Sequence, residues 1–307
     1  MSGSNIILGS GLIGKIAKDI FPDYRFVPFG KSRFYGWNCP LAEDYISVHE
    51  SAHEYVDRFK SDFRLIGLET REYKRPFSVS GQLIYSSNIP NLTSNPYLLK
   101  VYGQSPELLQ KLVSNTMFGV YNDVTPSFIF NKLNFDEEIS ADFGEFGKLV
   151  HVDLENHILR TEKRTIEYKH IISTIPLDAL TKFSGVDGEL ESRDVFFYLI
   201  RTNSLDLEGA DQVLVVENDI DFYSVSELGP SGLYLFKSFR ELSDGYLKMF
   251  LSKYEVVQKT VVKNYIPIGD VDKSIFESND VDLVGSLARW DDFFDVGACI
   301  NKLMKSS

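Results

Sequence analysis

The sequence predicts an α/β fold: a Rossmann-like dinucleotide-binding domain, made of a parallel sheet plus a β-meander, with an inserted α+β substrate domain built on an antiparallel sheet. Three stretches predict it. NIILGSGLIG, residues 5–14, is a short apolar strand running into a Gly-x-Gly-x-x-Gly turn at Gly9, Gly11 and Gly14. A helical stretch follows directly, which is the context this motif requires. Residues 148–177 read as three short strands broken by DLEN and TEKRT, the last strongly apolar and ended by Pro176, a meander feeding a buried strand. Residues 190–268 are strand-rich, with VFFYLIRT, DQVLVVEN and GLYLFKSF, and suit an antiparallel sheet.

In chain order, residues 5–8 alternate too little for a half-exposed strand and read as fully buried. A helix is expected from Leu12 to Phe21, stopped by Pro22 and Asp23, because proline cannot continue the hydrogen-bond ladder. Tyr24–Phe29 forms a second strand. From Gly36 to Glu145, helical segments such as SPELLQKLVSN alternate with Pro, Asn and Ser clusters, as in an inserted, substrate-facing region. Within the later sheet, SDGYLKMFLSKYEVVQKTVV, residues 243–262, is expected to be its one helix. The chain closes with a strand, a loop holding Trp290 and a terminal helix.

The 307 residues are enough for a full core. A net charge of -12 argues against general attraction to nucleic acid phosphates, and KSRF and REYKR are the only compact basic stretches. Cys39 and Cys299 match neither a disulfide framework nor a metal-ligand spacing. No apolar run approaches the ~20 residues of a membrane span, and MSGSN lacks the parts of a signal peptide. A soluble, cytoplasmic protein without a membrane partner is the expectation.

The glycine turn has a physical logic. Gly9 permits the tight turn, Gly11 lets backbone N–H groups approach a pyrophosphate, and Gly14 allows close packing of helix on strand. An acidic residue usually ends the second strand and takes the ribose hydroxyls. Here PFGKSR supplies Lys31 and Arg33 instead, which leaves both FAD and NADP open.

HESAH, residues 49–53, is a formal His-Glu-x-x-His match. On a helix, its two imidazoles would share a face and could bind zinc, with Glu50 polarising water. EDYISVHESAHEYV, however, mixes β-branched residues ahead of His49 and has no clear helical start. His151, His157 and His170 lie on or beside the meander without partner spacing and are read as structural.

Several later stretches resemble one flavoprotein lineage, the UDP-galactopyranose mutase branch of the FAD-dependent amine oxidase and protoporphyrinogen oxidase superfamily. ISVHESAH is similar to the mutase loop Val-His-x-x-Gly-x-His beside the flavin, one residue shorter. NPYLLKVYGQSPELL resembles Tyr-Thr-x-Lys-x-Trp-Gly-x-x-Pro-x-x-Leu, with Tyr102 in the tryptophan position. HIISTIPLDAL matches the superfamily strand that ends near the cofactor, IDFYSVSE resembles Pro-Tyr-Thr-Arg-Ile-His-Glu, and VGSLARWDDFFDVGACI resembles the closing Gly-Arg-Leu-Ala-x-Tyr segment.

The resemblance implies a discontinuous FAD-binding domain of residues 1–40, 146–185 and 280–307, and a substrate domain of 41–145 and 186–279. FAD would be held by Gly9, Ser10, Gly11, Leu12, Ile13, Gly14, Phe29, Gly30, Lys31, Ser32, Val152, Thr174, Gly285, Ser286, Trp290 and Val296. His53, Arg289 and Trp290 are the catalytic candidates, and Tyr102, Tyr223 and Glu227 the substrate-binding ones; no metal is expected. Two departures bear on substrate: Ser224 and Ser286 stand where the mutases have arginines, and VSNTMFGVYNDVTP replaces their arginine-rich stretch. Such cations offset the charge of a diphosphate, so the mutase fold reads as kept and its substrate clamp as lost.

In this superfamily the cofactor carries the chemistry and the protein positions the substrate, which suits a chain without an evident Ser-His-Asp or CxxC arrangement. The first expectation is therefore oxidation of an amine with C–N cleavage, on a small or nucleotide-linked amine. DNA is a further option, by analogy with related flavoproteins of phage thymine hypermodification. A mutase-like redox-neutral reaction and an NADP-binding or non-catalytic degenerate module are the alternatives.

Overall fold

The computed structural model describes residues 3–29, 45–47, 50–59, 65–68, 70–73, 85–86, 100, 125–129, 143–188, 190–207, 212–215, 220–227, 232–268, 272–289 and 296–307. The chain opens with β1 (Ser4–Leu8), α1 (Leu12–Ile20), β2 (Arg25–Val27), β3 (Tyr45–Ser47) and α2 (Glu50–Phe59). Then come β4 (Leu65–Leu68), β5 (Thr70–Tyr73), β6 (Tyr85–Ser86), β7 (Thr125–Ile129), α3 (Phe143–Phe146), β8 (Leu149–Asp153), β9 (Ile158–Thr161), β10 (Thr165–Ser173) and α4 (Leu177–Ser184). The remainder is β11 (Glu191–Arg201), β12 (Gln212–Val215), β13 (Phe222–Glu227), β14 (Leu233–Ser238), α5 (Asp244–Phe250), β15 (Glu255–Ile268), α6 (Ser274–Glu277), β16 (Val281–Leu283), α7 (Ser286–Arg289) and α8 (Val296–Lys305).

These elements form two compact units, one of residues 1–65, 128–191 and 270–307, the other of 66–127 and 192–269. In the first unit, β2, β1, β10 and β16 run parallel, and β8 and β9 extend β10 as an antiparallel meander. β10 belongs to both: Thr165, Ile166 and Glu167 pair with β9, while Ile171, Ile172 and Ser173 lie between β1 and β16. As expected of a covered parallel layer, Ile6, Ile7 and Leu8 are fully buried. One face packs Leu8, Ile171 and Leu283 on the meander and on Leu177 and Leu180 of α4. The other packs Ile7 and Ile172 on Ile16 and Ala17 of α1, Tyr55 of α2, and Ile300 and Leu303 of α8.

α2 corrects the sequence reading, which found no helical start around HESAH. From Glu50 the segment is a helix, and its Tyr55 and Val56 are buried in the cluster shared with α1 and α8. The Tyr55 hydroxyl donates to Asp19 of α1 at 2.8 Å. Tertiary packing of one apolar face outweighs a weak start signal. It also places residues 50–59 in the first unit, whereas the expected domain boundary fell at 40/41.

The second unit is a seven-stranded sheet in the order β15-β11-β14-β13-β12-β5-β6. The pairs among β11, β14, β13 and β12 are antiparallel as expected, but β12 and β5 run parallel. One face buries Tyr198, Ile200, Val225, Phe222 and Phe236 against Leu247 and Leu251 of and beside α5. The expected single helix over 243–262 is corrected here: α5 ends at Phe250 and β15 begins at Glu255. Val256, Val257, Thr260, Val261 and Val262 are β-branched, stiff at χ1 and better packed on a pleated surface than around a helix.

His170, read as structural, ties three elements of the first unit together. Its Nε2 lies 3.2 Å from Asp282 of β16 and its Nδ1 3.3 Å from the Tyr24 hydroxyl. A neutral imidazole that donates from Nε2 to the carboxylate and accepts from the phenol satisfies both contacts. Lys302 of α8 also meets Asp282 at 3.2 Å. The hydrogen bond from His170, with the Lys302 charge behind it, holds the Asp282 carboxyl down to about 2, against an ordinary 3.8. A folded-state pKa below the unfolded one stabilises the fold above about pH 4 and is lost as the pH falls toward 2. Asp282→Asn should cost on the order of 1 kcal/mol at pH 7, after allowance for the carboxylate's partial exposure, and should flatten the acid limb of a stability–pH curve between about pH 4 and 2. Thermal unfolding of both proteins across that range checks this.

Candidate functional site

Because β2, β1, β10 and β16 are parallel, their carboxyl ends share one edge of the sheet, the place where ligands bind in open α/β sheets. Four segments leave the strands there: Phe29, Gly9-Ser10-Gly11, Thr174 and Gly285. The backbone knits them together. Gly9 N–H donates to Val27 O at 3.0 Å, Thr174 N–H to Leu8 O at 2.8 Å and Val284 N–H to Ser173 O at 3.0 Å.

The three glycines of the turn differ in what surrounds them. Gly9 has φ +126°, and a Cβ there would lie 2.2 Å from Thr174 Oγ1; a Cβ on Gly14 would lie 2.3 Å from Gly9 O. Both are fixed by packing of the chain on itself. Among the described residues, a Cβ on Gly11 would meet nothing within 4 Å. Gly11 is also the N-cap of α1, with no side-chain hydrogen bond to the helix and no acidic residue in the first turn. The first N–H groups of a helix have no partner inside it, and here no side chain or carboxylate of the cap occupies them. The arrangement is an open main-chain cradle at a positive helix end.

The other nucleotide-site candidates fall around or behind that cradle. Ser10 is buried and its hydroxyl donates to Phe29 O at 3.3 Å, while the Phe29 ring packs edge-on to Phe183 at 5.8 Å. Leu12 and Ile13 pack against the α1–α2–α8 cluster. The Thr174 hydroxyl donates to Leu8 O at 3.2 Å and backs Gly9 and Gly14. Val152 is fully buried in the meander core. Gly285, at φ +123°, turns the chain from β16 into α7, where the Arg289 N–H donates to Gly285 O at 2.8 Å. Ser286 and Val296 begin α7 and α8. His53 is half-buried on α2. Gly30, Lys31, Ser32, Tyr102, Trp290 and His49 lie outside the described residues.

In the second unit, Tyr223 is buried on β13 and stacks on Phe239 at 4.4 Å and 14°. Glu227 ends β13 opposite Tyr234, and burial, followed by the Glu227 charge, raises the phenol's pKa. The sequence reading missed Lys237. It is 3% exposed, opposite Ser224 across the β13–β14 pair, with Nζ 5.9 Å from the centre of the Phe197 ring. Its signal was present as one lysine inside the apolar run GLYLFKSF. Ser224 and Ser226 are buried beside it. Among the described residues, no group of three or more His, Cys, Asp or Glu side chains could hold a metal ion, and no helix is long and apolar enough to cross a membrane.

Solved structures share this architecture over nearly the whole chain. The reduced form of UDP-galactopyranose mutase superposes with a TM-score of 0.69 at 12% identity, covering 100% of this chain and 93% of that one. An oxidoreductase from Methanosarcina mazei gives 0.61 at 11% identity, over 98% and 99% of the two chains. Cyclohexylamine oxidase from Brevibacterium oxydans IH-35A gives 0.60 at 10% identity, over 99% and 97%. The chain has the fold of the UDP-galactopyranose mutase and amine oxidase flavoproteins. No family model and no curated protein matches the sequence. The fold expectation of a parallel-containing sheet with a separate, largely antiparallel one stands.

The glycines make a separable test. Gly9→Ala and Gly14→Ala should each destabilise the fold by about 2 kcal/mol or more, through the forced contacts and, at Gly9, the positive φ. Gly11→Ala, which exchanges a favoured N-cap residue for a poor one without a forced contact, should cost the ligand-free protein only about 1 kcal/mol or less. Chemical denaturation of the three variants reads this directly.

Proposed function

We propose that the protein is an FAD-dependent oxidoreductase that oxidises an amine and cleaves its C–N bond. The open cradle at Gly11 is the observation that carries the cofactor assignment, in a fold shared with amine oxidases and the mutase. Among the described residues, those present fit the pyrophosphate of a dinucleotide: main-chain N–H groups at the start of α1, an unobstructed Gly11 and no acidic residue in the first turn of that helix. The backbone of Gly9–Gly14 would hold the diphosphate, with Phe29, Gly285 and the start of α7 around it. Lys31 or Ser32 stands in sequence where a ribose-binding carboxylate is usual, so the ribose would be held without one.

Bound flavin supplies a two-electron acceptor for the carbon next to the amine nitrogen. The chain's own task is to orient that carbon, exclude water until oxidation is complete, and then admit it for hydrolysis of the resulting C–N double bond. His53, Arg289 and Trp290 are the residues proposed for the reacting end, and Tyr102, Tyr223 and Glu227 for substrate contacts.

A redox-neutral reaction of the mutase type is the second reading, favoured by the higher TM-score of that neighbour. Buried Ser224 stands in the place of the arginine in the mutase motif, which removes a cation suited to a diphosphate.

The purified protein should show the visible absorption of oxidised flavin, and Gly11→Val should lose it while remaining folded, at the cost of about 1 kcal/mol of ligand-free stability from the poorer N-cap. Anaerobic mixing with a panel of amines should bleach the absorption. Bleaching by no amine, with turnover of a sugar nucleotide only after chemical reduction, would favour the mutase reading. A colourless protein that does not take up FAD would overturn both.

A further inference from the structure

β15 lies at the outer end of the sheet in the second unit, and among the described residues it pairs with β11 alone. A free edge presents a row of N–H and C=O groups that another strand can take up, and proteins blunt such edges with short strands, prolines and lysines that stand over them. β15 is blunted weakly. It runs for 14 residues, and its one proline, Pro267, comes next to last. None of its residues 255–261 is buried. Val256 and Val257 are 41% exposed and Val261 38%. Three of the six large apolar side chains exposed among the described residues therefore fall on this one edge, a concentration that scattered surface residues do not show.

The charged residues of the segment do not guard it. Glu255 meets Arg201 of β11 at 2.8 Å. Lys259 is held by Glu241, with its ammonium 5.9 Å from the centre of the Tyr198 ring of β11. Both charges are drawn back onto the strand's own sheet. The start of the strand is pinned as well, the Thr202 hydroxyl donating to Lys253 O at 2.5 Å, so the edge is held in place ahead of any pairing.

The order of residues names the partner. When two copies of a strand run antiparallel about a twofold axis, each residue faces the one at the mirrored distance from the axis. With the axis at Val257, Glu255 of each copy faces Lys259 of the other, and Val257 faces its twin. Each side of the axis then carries an alternating row of charges: Arg201, Glu255, then Lys259 and Glu241 of the second copy. A network of that kind contributes more than isolated surface pairs do. Neighbouring registers lose it. An axis at Val256 sets Lys259 against Lys253, and one at Gln258 leaves Glu255 against Val261 and Lys259 against Val257. A parallel pairing in register opposes like charges.

We propose that β15 is a homodimer interface: two copies join edge to edge, antiparallel about Val257, into one continuous sheet. Main-chain hydrogen bonds, Val257 packed on its twin and two Glu255–Lys259 pairs hold it. The contact is small, so the dimer dissociates with a constant on the order of tens of micromolar. The interface is independent of the cofactor and of the reaction proposed above.

Sedimentation velocity of the full-length protein from about 1 to about 200 µM tests this, a range that brackets the expected constant. The parent should pass from monomer to dimer across it. Val257→Lys sets like charges together at the axis and should weaken the dimer by about tenfold or more. Glu255→Lys and Lys259→Glu should each weaken it alone, because each opposes like charges twice. An equimolar mixture of those two variants should restore it, since every facing pair is again of opposite sign. Val150→Lys, at an exposed valine of β8, should change nothing. If Val257→Lys fails to fold, the mixing experiment decides. A parent that stays monomeric, a dimer indifferent to Val257→Lys, assembly beyond the dimer, or no recovery on mixing would each overturn the proposal.

Discussion

The first unit depends on β10, a nine-residue strand that serves two layers at once. Its early residues close the meander on β9, and its late residues are bonded on both edges, to β1 and β16. A strand under those constraints must change character along its length. Glu167 and Lys169 are exposed in the first part, whereas Ile171, Ile172 and Ser173 are buried in the second. The residue that follows, Thr174, then determines how closely the glycine turn can approach, since its hydroxyl fills the space a side chain on Gly9 would need. The geometry of the cradle is thus set from behind by β10 rather than by the turn alone.

This explains which parts of the fold were legible. The turn, the meander and the last strand are local patterns: glycines at fixed offsets, short strands between polar breaks, an apolar run ended by proline. Each is decided within about ten residues, where periodicity and turn chemistry are strong signals. α2 and β15 were misread because their neighbours decide them. The helical face of α2 has meaning only when α1 and α8 lie against Tyr55 and Val56, and β15 follows so closely on α5 that one helical reading covered both, although its β-branched run argued otherwise.

The candidate sites divide in the same way. Gly9, Gly11 and Gly14 fall in six residues and could be read as a motif. Lys237 could not, since its partners Ser224 and Phe197 lie on other strands and far from it in sequence. The β11–β14 pairing sets Phe197 opposite Lys237. A cation placed by strand pairing has no spacing rule to betray it; what the sequence does offer is a lysine or arginine interrupting an apolar strand, which earns attention because burying a charge costs free energy unless something compensates it.

The glycine turn also shows how much a motif can say. Gly9 and Gly14 are required by contacts inside the chain, with Thr174 and with each other, and would be required whether or not a dinucleotide ever bound. Their presence therefore argues for the strand–turn–helix geometry and is silent on cofactor. Gly11 differs: among the described residues a side chain there would meet nothing, and the demand on it is that of the N-cap of α1, where glycine is a favoured residue. What points outward is the helix start itself: N–H groups with no side-chain cap, no acidic residue in the first turn, and room in front of them for a negatively charged group. The functional reading rests on that helix start more than on the three glycines together.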